Sequence, residues 1–249
     1  MYQNKDSKQK MYDRFWDHGN VLKPTIWSLW DTIKDFRGKC NLEIGAGNCP
    51  RIPVKGGYFL DTSEEAIRNL EMAGGISVLG DVIALPFENN FFDLVAAFEI
   101  LEHIENDEKA FSEMARILKP SGFFIFSVPL RQDLFNELDS FAGHKRRYEI
   151  ARLKELLSKN GFKVLKYRAP SLYIKILNKL DSLFILIAFR NKKVKNSLET
   201  FTLPKVIFNL YYQIFSFLER KSAPKWQTDL KNLSEYEERR IVMFCQKCN

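Results

Sequence analysis

The sequence predicts an α/β domain built on a doubly wound, mostly parallel sheet. Short apolar runs of strand length alternate with stretches of helical periodicity over most of the chain. A glycine turn, Gly45-Ala46-Gly47, directly follows the short strand expected at Cys40–Ile44. Acidic residues recur just where the runs end, at Glu43, Asp61, Asp81 and Glu99. In an open α/β sheet the carboxyl ends of the strands are where ligands bind.

Taken in order, residues 2–36 carry Tyr12, Phe15, Trp16, Ile26, Trp27, Trp30, Ile33 and Phe36 at helical spacing, with Pro24 between two expected helices. They form either packing for a sheet face or a lid over a ligand. Glycine at 45 and 47 lets the backbone turn tightly and approach a ligand with no side chain in the way. The stretch from there to Tyr58-Phe-Leu-Asp61 holds Pro50, Pro53, Gly56 and Gly57 and is too short for a full crossover helix, so a loop is expected. Thr62-Ser-Glu-Glu65 reads as a capping box for a helix from Ser63 to about Met72, stopped by Gly74-Gly75.

A third strand is expected at Ile76–Leu79, then the turn Gly80-Asp81-Val82 and a tight apolar loop, Leu85-Pro86-Phe87. The nearly continuous apolar run Phe91–Phe98 suits a central strand buried on both faces. Asn106 caps a helix through Leu118, and Lys119-Pro-Ser-Gly122 is expected to be a turn. Strands at Phe123–Val128, Phe162–Tyr167 and Arg240–Cys245 complete the pattern, with a helix from Glu149 to Asn160.

Composition narrows the function. The chain has 249 residues, 45% hydrophobic and 28% charged, as for a globular domain with an ample core. The net charge of +7 is local: residues 170–225 hold ten Lys/Arg against three Asp/Glu, and the rest balance. That argues against a protein that coats nucleic acid, and no nucleic-acid partner is expected. The start, Met1–Lys10, is polar and lacks the apolar core of a secretory signal, so a cytoplasmic location is expected. The longest uncharged apolar run, Val206–Leu218, is 13 residues, short of the ~20 needed to span a bilayer. Cysteines stand at 40, 49, 245 and 248; Cys245-Gln-Lys-Cys248 has the spacing of half a zinc site, but reduced thiols and no metal are the expectation.

Six segments in register resemble the class I S-adenosylmethionine-dependent methyltransferases of the "type 11" branch. They are Leu-Glu-Ile-Gly-Ala-Gly, Leu-Asp61-Thr-Ser, Gly-Asp81-Val-Ile-Ala-Leu-Pro-Phe, Phe-Phe-Asp-Leu-Val, Glu-Ile-Leu-Glu-His103-Ile and Leu-Lys-Pro-Ser-Gly-Phe. The resemblance covers about residues 38–168 and the last strand. It implies a Rossmann-like seven-stranded sheet with the last strand antiparallel, in a single domain over 1–249. Within it, 1–37 is a helical lid, 38–168 the cofactor-binding core, 169–235 a helical insertion before the last strand and 236–249 that strand.

The resemblance also implies roles. The cofactor is S-adenosylmethionine. Glu43 and the Gly45-Ala46-Gly47 turn receive its amino-acid part, Asp61 with Thr62 its ribose hydroxyls, Asp81 and the Val82 amide its adenine, and Glu99 lines the floor. His103 is the candidate base, against the alternative of packing at the head of a helix. His144, Arg146, Arg147 and Tyr148 lie where the family builds substrate contacts, or else form a solvated basic loop. The acceptor is a small or lipid-linked metabolite. Residues 170–225 either pack on the sheet edge or make a cap with peripheral membrane contact. Two departures stand out: Cys49 replaces a common third glycine, and the Pro50–Pro53 loop replaces a helix. They motivate the competing reading of a cofactor-binding pseudo-enzyme or interaction protein. A dinucleotide dehydrogenase is disfavoured because glycine would be required where Pro50 stands. An RNA or protein methyltransferase is disfavoured because Phe98-Glu99-Ile100-Leu101 stands where Asn-Pro-Pro-Tyr is expected.

Overall fold

The computed structural model describes residues 21–36, 38–169, 217–218, 220–236 and 238–248. Seven strands form one sheet: β1 (Asn41–Ile44), β2 (Tyr58–Asp61), β3 (Ile76–Leu79), β4 (Phe92–Phe98), β5 (Leu118–Pro129), β6 (Phe162–Arg168) and β7 (Arg240–Lys247). Their order is β3-β2-β1-β4-β5-β7-β6, with β7 antiparallel to both neighbours and the other pairings parallel. The reversal of strand order between β1 and β4 opens the crevice where such sheets bind ligands.

Helices cover both faces, which is why β4 is apolar nearly throughout and β1 is buried at all four positions. One core layer packs Phe111, Met114 and Ile117 of α3 (Asp107–Ile117) and Leu153, Leu156 and Leu157 of α5 (Ile150–Lys159) onto Leu42, Val95 and Phe124. The opposite layer sets Ile33 of the short α1 (Trp30–Ile33) and Leu70 of α2 (Glu64–Met72) against Phe59, Leu94 and Ile125. Leu29, Ile33 and Phe36 pack on the sheet there, while Trp27, also buried, packs on the loop after the glycine turn through Arg51 and the Pro50 carbonyl. Tyr12, Phe15 and Trp16, and the 170–216 part of the expected insertion, lie outside the described residues.

One local expectation is corrected and one refined. The N-cap of α2 is Ser63, whose Oγ accepts from the Ala66 amide at 3.2 Å, so the cap stands one residue later than a box opening at Thr62. The expected turn at Lys119–Gly122 is present, but inside a strand: β5 starts at Leu118, which pairs with Phe92, and Phe123 pairs with Leu94, so the four residues between them loop out opposite Asp93. A bulge with Ser121 at φ 60° absorbs the turn-forming residues inside the strand. The expected loop after the glycine turn is present: no helix intervenes between β1 and β2. Among the described residues, no helix is long and apolar enough to cross a membrane. Cys245 is buried within β7 and Cys248 exposed just beyond it, on opposite sides of an extended chain.

Candidate active site at the carboxyl edge of the sheet

The glycine turn is built from both sides. Gly45 and Gly47 adopt left-handed φ values of 67° and 52°, and a Cβ on Gly45 would lie 2.2 Å from Ile100 Cδ1. Glycine there lets the end of β1 close onto the chain leaving β4. Asp61 ties the turn to β2. Its Oδ2 accepts from the Gly47 amide at 3.1 Å and its Oδ1 from the Ser63 amide at 3.0 Å. Ala46 is buried beneath the turn and Thr62 is exposed beside it.

Glu43 occupies a different position from Asp61. Its carboxylate is 1% exposed, and Oε2 accepts from the amides of Arg51 at 2.7 Å and Ile52 at 3.0 Å. The Arg51 guanidinium stands 3.7 Å from Oε1, which has no hydrogen-bond donor, and packs between the Trp27 and Phe98 rings, 4.6 Å from each centroid. The Trp27 indole N–H donates to the Pro50 carbonyl. Burial pushes the Glu43 carboxyl up; Arg51 and the two amides oppose that. Glu43 is thus the anchor that shapes a helix-free loop.

Asp81 lies two residues past β3, exposed, and its Oδ1 accepts from the Ile83 amide at 3.2 Å. The Val82 side chain is buried in the core behind it. The loop beyond is clamped from α3. Glu113 Oε2 accepts from the Leu85 amide, while Arg116 donates to the Leu85 and Phe87 carbonyls and to Glu113. Arg116, against a smaller burial effect, brings the Glu113 carboxyl down to about 2.

Past β4 the chain turns through Glu99, at a left-handed φ of 55°. Its carboxylate accepts from the Ser127 hydroxyl at 2.8 Å and pairs with Arg240 at 2.7 Å. Because β7 is antiparallel, its first residue reaches the edge where its neighbours end. Leu101–His103 follow as a 3-10 turn, and residues 144–148 run alongside. Lys145 N–H donates to the Glu102 carbonyl, and the Tyr148 hydroxyl to the Leu101 carbonyl. The His103 and His144 rings meet edge to face, 4.7 Å between centroids.

The four residues of the 144–148 loop separate by position. His144 joins the cluster. Its Nδ1 lies 2.9 Å from Asp139 Oδ1, because the capping box of α4 (Glu137–Ala142) fixes Asp139 and Gly143 at φ 85° reverses the chain. Burial, more than Asp139 opposes it, lowers the His144 imidazole. Arg147 is spent on Asp139 at 2.9 Å, and Arg146 on Asp107 at 2.9 Å and the Glu105 carbonyl. Tyr148 is 1% exposed and belongs to the core; burial pushes its phenol up. Glu102, Asp139 and Arg240 are site neighbours that sequence reasoning missed. The Asn136-x-x-Asp139 box and the Glu102-His103 pair were the available signals. A separate cavity of about 660 Å³, lined by Thr32, Lys166, Arg168 and Trp226 among others, shares no lining residue with this edge.

Comparison with known proteins agrees with this architecture. Residues 42–126 match the family model described as "Methyltransferase domain". The chain is 31% identical over 141 residues to the ubiquinone/menaquinone biosynthesis C-methyltransferase UbiE of Klebsiella pneumoniae subsp. pneumoniae, covering 55% of each. It is 35% identical over 90 residues to the protein of that name from Yersinia pestis bv. Antiqua, covering 34% of this chain and 36% of the other. The chain thus spans about half or less of the curated relatives it matches. Among solved structures, a putative sarcosine dimethylglycine methyltransferase from Galdieria sulphuraria superposes with TM-score 0.57 at 15% identity, covering 99% of both chains. Phosphoethanolamine N-methyltransferase 2 of Haemonchus contortus, in complex with S-adenosyl-L-methionine, gives 0.53 at 18% identity, over 90% of this chain and 53% of that one. At these identities the structural matches carry the fold.

Proposed function

With a class I S-adenosylmethionine-dependent methyltransferase domain as the premise, we propose that the protein transfers a methyl group to a small or lipid-linked metabolite. One observation carries the reading: Asp61, at the end of β2, hydrogen-bonds the glycine turn of β1 and so sits across the mouth of the switch-point crevice. A carboxylate there suits a vicinal ribose diol. The residues fit the cofactor elsewhere too. Asp81 is exposed at the next strand end for an exocyclic amine, and Glu43 Oε1 is a buried acceptor without a donor, complementary to an ammonium group.

When bound, S-adenosylmethionine supplies an electrophilic sulfonium methyl. The chain's own work is to align the acceptor, exclude water and, for an oxygen or nitrogen acceptor, let a proton leave. The end of the crevice near Glu99 is suited to the last task, since Glu102, His103 and His144 converge there. Two relatives are named for C-methylation in ubiquinone and menaquinone biosynthesis, which makes a quinone precursor the first acceptor to assay.

A second reading, a cofactor-binding or interaction protein without transfer, draws on Glu43. Its carboxylate is committed to the Arg51–Ile52 loop. Calorimetric titration with S-adenosylmethionine and S-adenosylhomocysteine separates the two readings, followed by transfer of a labelled methyl group to candidate acceptors. Binding at micromolar affinity with turnover is expected. Failure of both ligands to bind would remove the methyl-transfer reading.

A further inference from the structure

We propose that Glu102, His103 and His144 form a binding site for a divalent first-row transition-metal ion beside the methyl-donor crevice. One ligand atom from each of the three lies within 4.8 Å of the others, and His144 Nε2 stands 3.9 Å from Glu102 Oε1. Ligands about 2.1 Å from a tetrahedral ion are about 3.4 Å apart, so rotamer adjustments of roughly an ångström complete the shell.

The independent observation is the state of Glu102. Its side chain is 0% exposed, and neither carboxylate oxygen has a hydrogen-bond partner. Buried carboxylates are ordinarily paired, hydrogen-bonded or bound to metal. The anions Glu99 and Asp139 lie near enough to make the site more hostile to its charge. The nearby cation, Arg240, spends its contact on Glu99 at 2.7 Å. A bound cation is the partner this carboxylate lacks.

The surroundings of His144 are those of a metal ligand. Asp139 Oδ1 accepts at Nδ1, and Asp139 is itself held by Arg147 Nε at 2.9 and 3.1 Å and by the Asn136 amide at 3.0 Å. That network assigns the proton to Nδ1 and leaves the Nε2 lone pair on the Glu102 side, the arrangement that orients ligating histidines. The backbone bond from Lys145 to Glu102 holds the two segments together without the ion. Two imidazoles and one carboxylate suit Zn²⁺, Mn²⁺ or Fe²⁺ better than the hard, oxygen-seeking Mg²⁺ or Ca²⁺. This assignment departs from the expectation of no metal drawn from the sequence.

The site itself stands apart from the methyl-transfer reading; its use rests on that reading. Glu99 joins the two regions, so an acceptor oxygen on the ion would lie at the crevice. A bound cation lowers the pKa of a coordinated hydroxyl, so the acceptor's proton would pass to solvent water and His103, as a ligand, would not serve as the base.

The test is calorimetry and thermal melting of chelator-treated full-length protein with ZnCl₂, MnCl₂ and MgCl₂. A Cys248→Ser background removes the exposed thiol as a competing ligand. We expect one Zn²⁺ or Mn²⁺ per chain and a raised melting temperature, with Mg²⁺ at least about tenfold weaker. Glu102→Gln and His144→Gln should each weaken binding about 100-fold, and Asp139→Asn, a positioning change, about 10–100-fold. Far-UV circular dichroism confirms that each variant folds, and Mn²⁺ paramagnetic resonance reports changes in the shell directly. No Zn²⁺ or Mn²⁺ binding below about 100 μM, or binding unchanged in both Glu102→Gln and His144→Gln, overturns the site. Donor binding is measured on the same samples: metal binding without it keeps the site and sinks the transfer reading, and the reverse sinks the site alone.

Discussion

The two halves of the sheet's carboxyl edge treat their acidic residues in opposite ways. On the β1–β3 side, Glu43, Asp61 and Asp81 each accept from backbone amides of the loops at this edge. On the β4–β5 side, Glu99 draws on Ser127 and Arg240, and the Glu102 carboxylate has no hydrogen-bond partner. The first half is a frame held by backbone amides, in which Glu43 Oε1 alone among these three carboxylates' buried oxygens is left without a donor. The second holds one acidic group at a cost to stability, and such groups cluster where chemistry or binding needs them.

Variants can break or sharpen this contrast. The largest effect is expected at Asp61. Asp61→Ala removes a charged acceptor worth about 1.5–3 kcal/mol per hydrogen bond, and S-adenosylmethionine affinity should fall about 100-fold by calorimetry. Wild-type affinity in that variant would show that the frame does not hold the donor. Next is Gly45→Ala, where a side chain at left-handed φ meets Ile100. A cost of about 1–2 kcal/mol should lower the melting temperature by roughly 5 °C. Adding Ile100→Ala should leave the backbone part and recover the rest.

The third prediction is a sign test. Glu43→Gln loses the Arg51 pairing and should lower the melting temperature by about 3 °C, whereas Glu102→Gln, measured in chelator, should raise it by a similar amount. Two shifts of the same sign would erase the contrast between the halves.

The smallest effect concerns the frame's acid limit. Glu113, held down to about 2 by Arg116, clamps the loop after Asp81. A carboxyl lowered in the folded state contributes stability that is present above its ordinary value of 4.5 and lost as pH falls toward 2. Glu113→Gln should flatten the acid limb of a urea-stability profile in that window, while leaving a lower plateau at pH 7. An unchanged acid limb would show that the clamp contributes nothing there.

Legibility in the sequence followed the range of the interactions. The strand ends at Asp61 and Leu79, the helix-free loop after Gly47 and the cap at Asn106 rest on neighbours in the chain, and local pattern anticipated them. The turn at Lys119–Gly122 was local in the same way; that it interrupts a strand already begun at Leu118 was not, because Leu118 pairs with Phe92 across the sheet. For the 144–148 loop the sequence left substrate contact and a solvated basic loop both open; in the structure His144 joins the cluster, while Arg146, Arg147 and Tyr148 hold the loop in place.

By itself the sequence determined the order of elements, the glycine turn and the acidic residues that close each strand, because periodicity and backbone freedom are properties of neighbouring residues. Only the tertiary structure decided which carboxylates are satisfied and which is not. The donors and charges around Glu43, Glu99 and Glu102 come from residues 8 to 141 positions away, and a buried charge is stable or costly according to partners that folding alone brings to it.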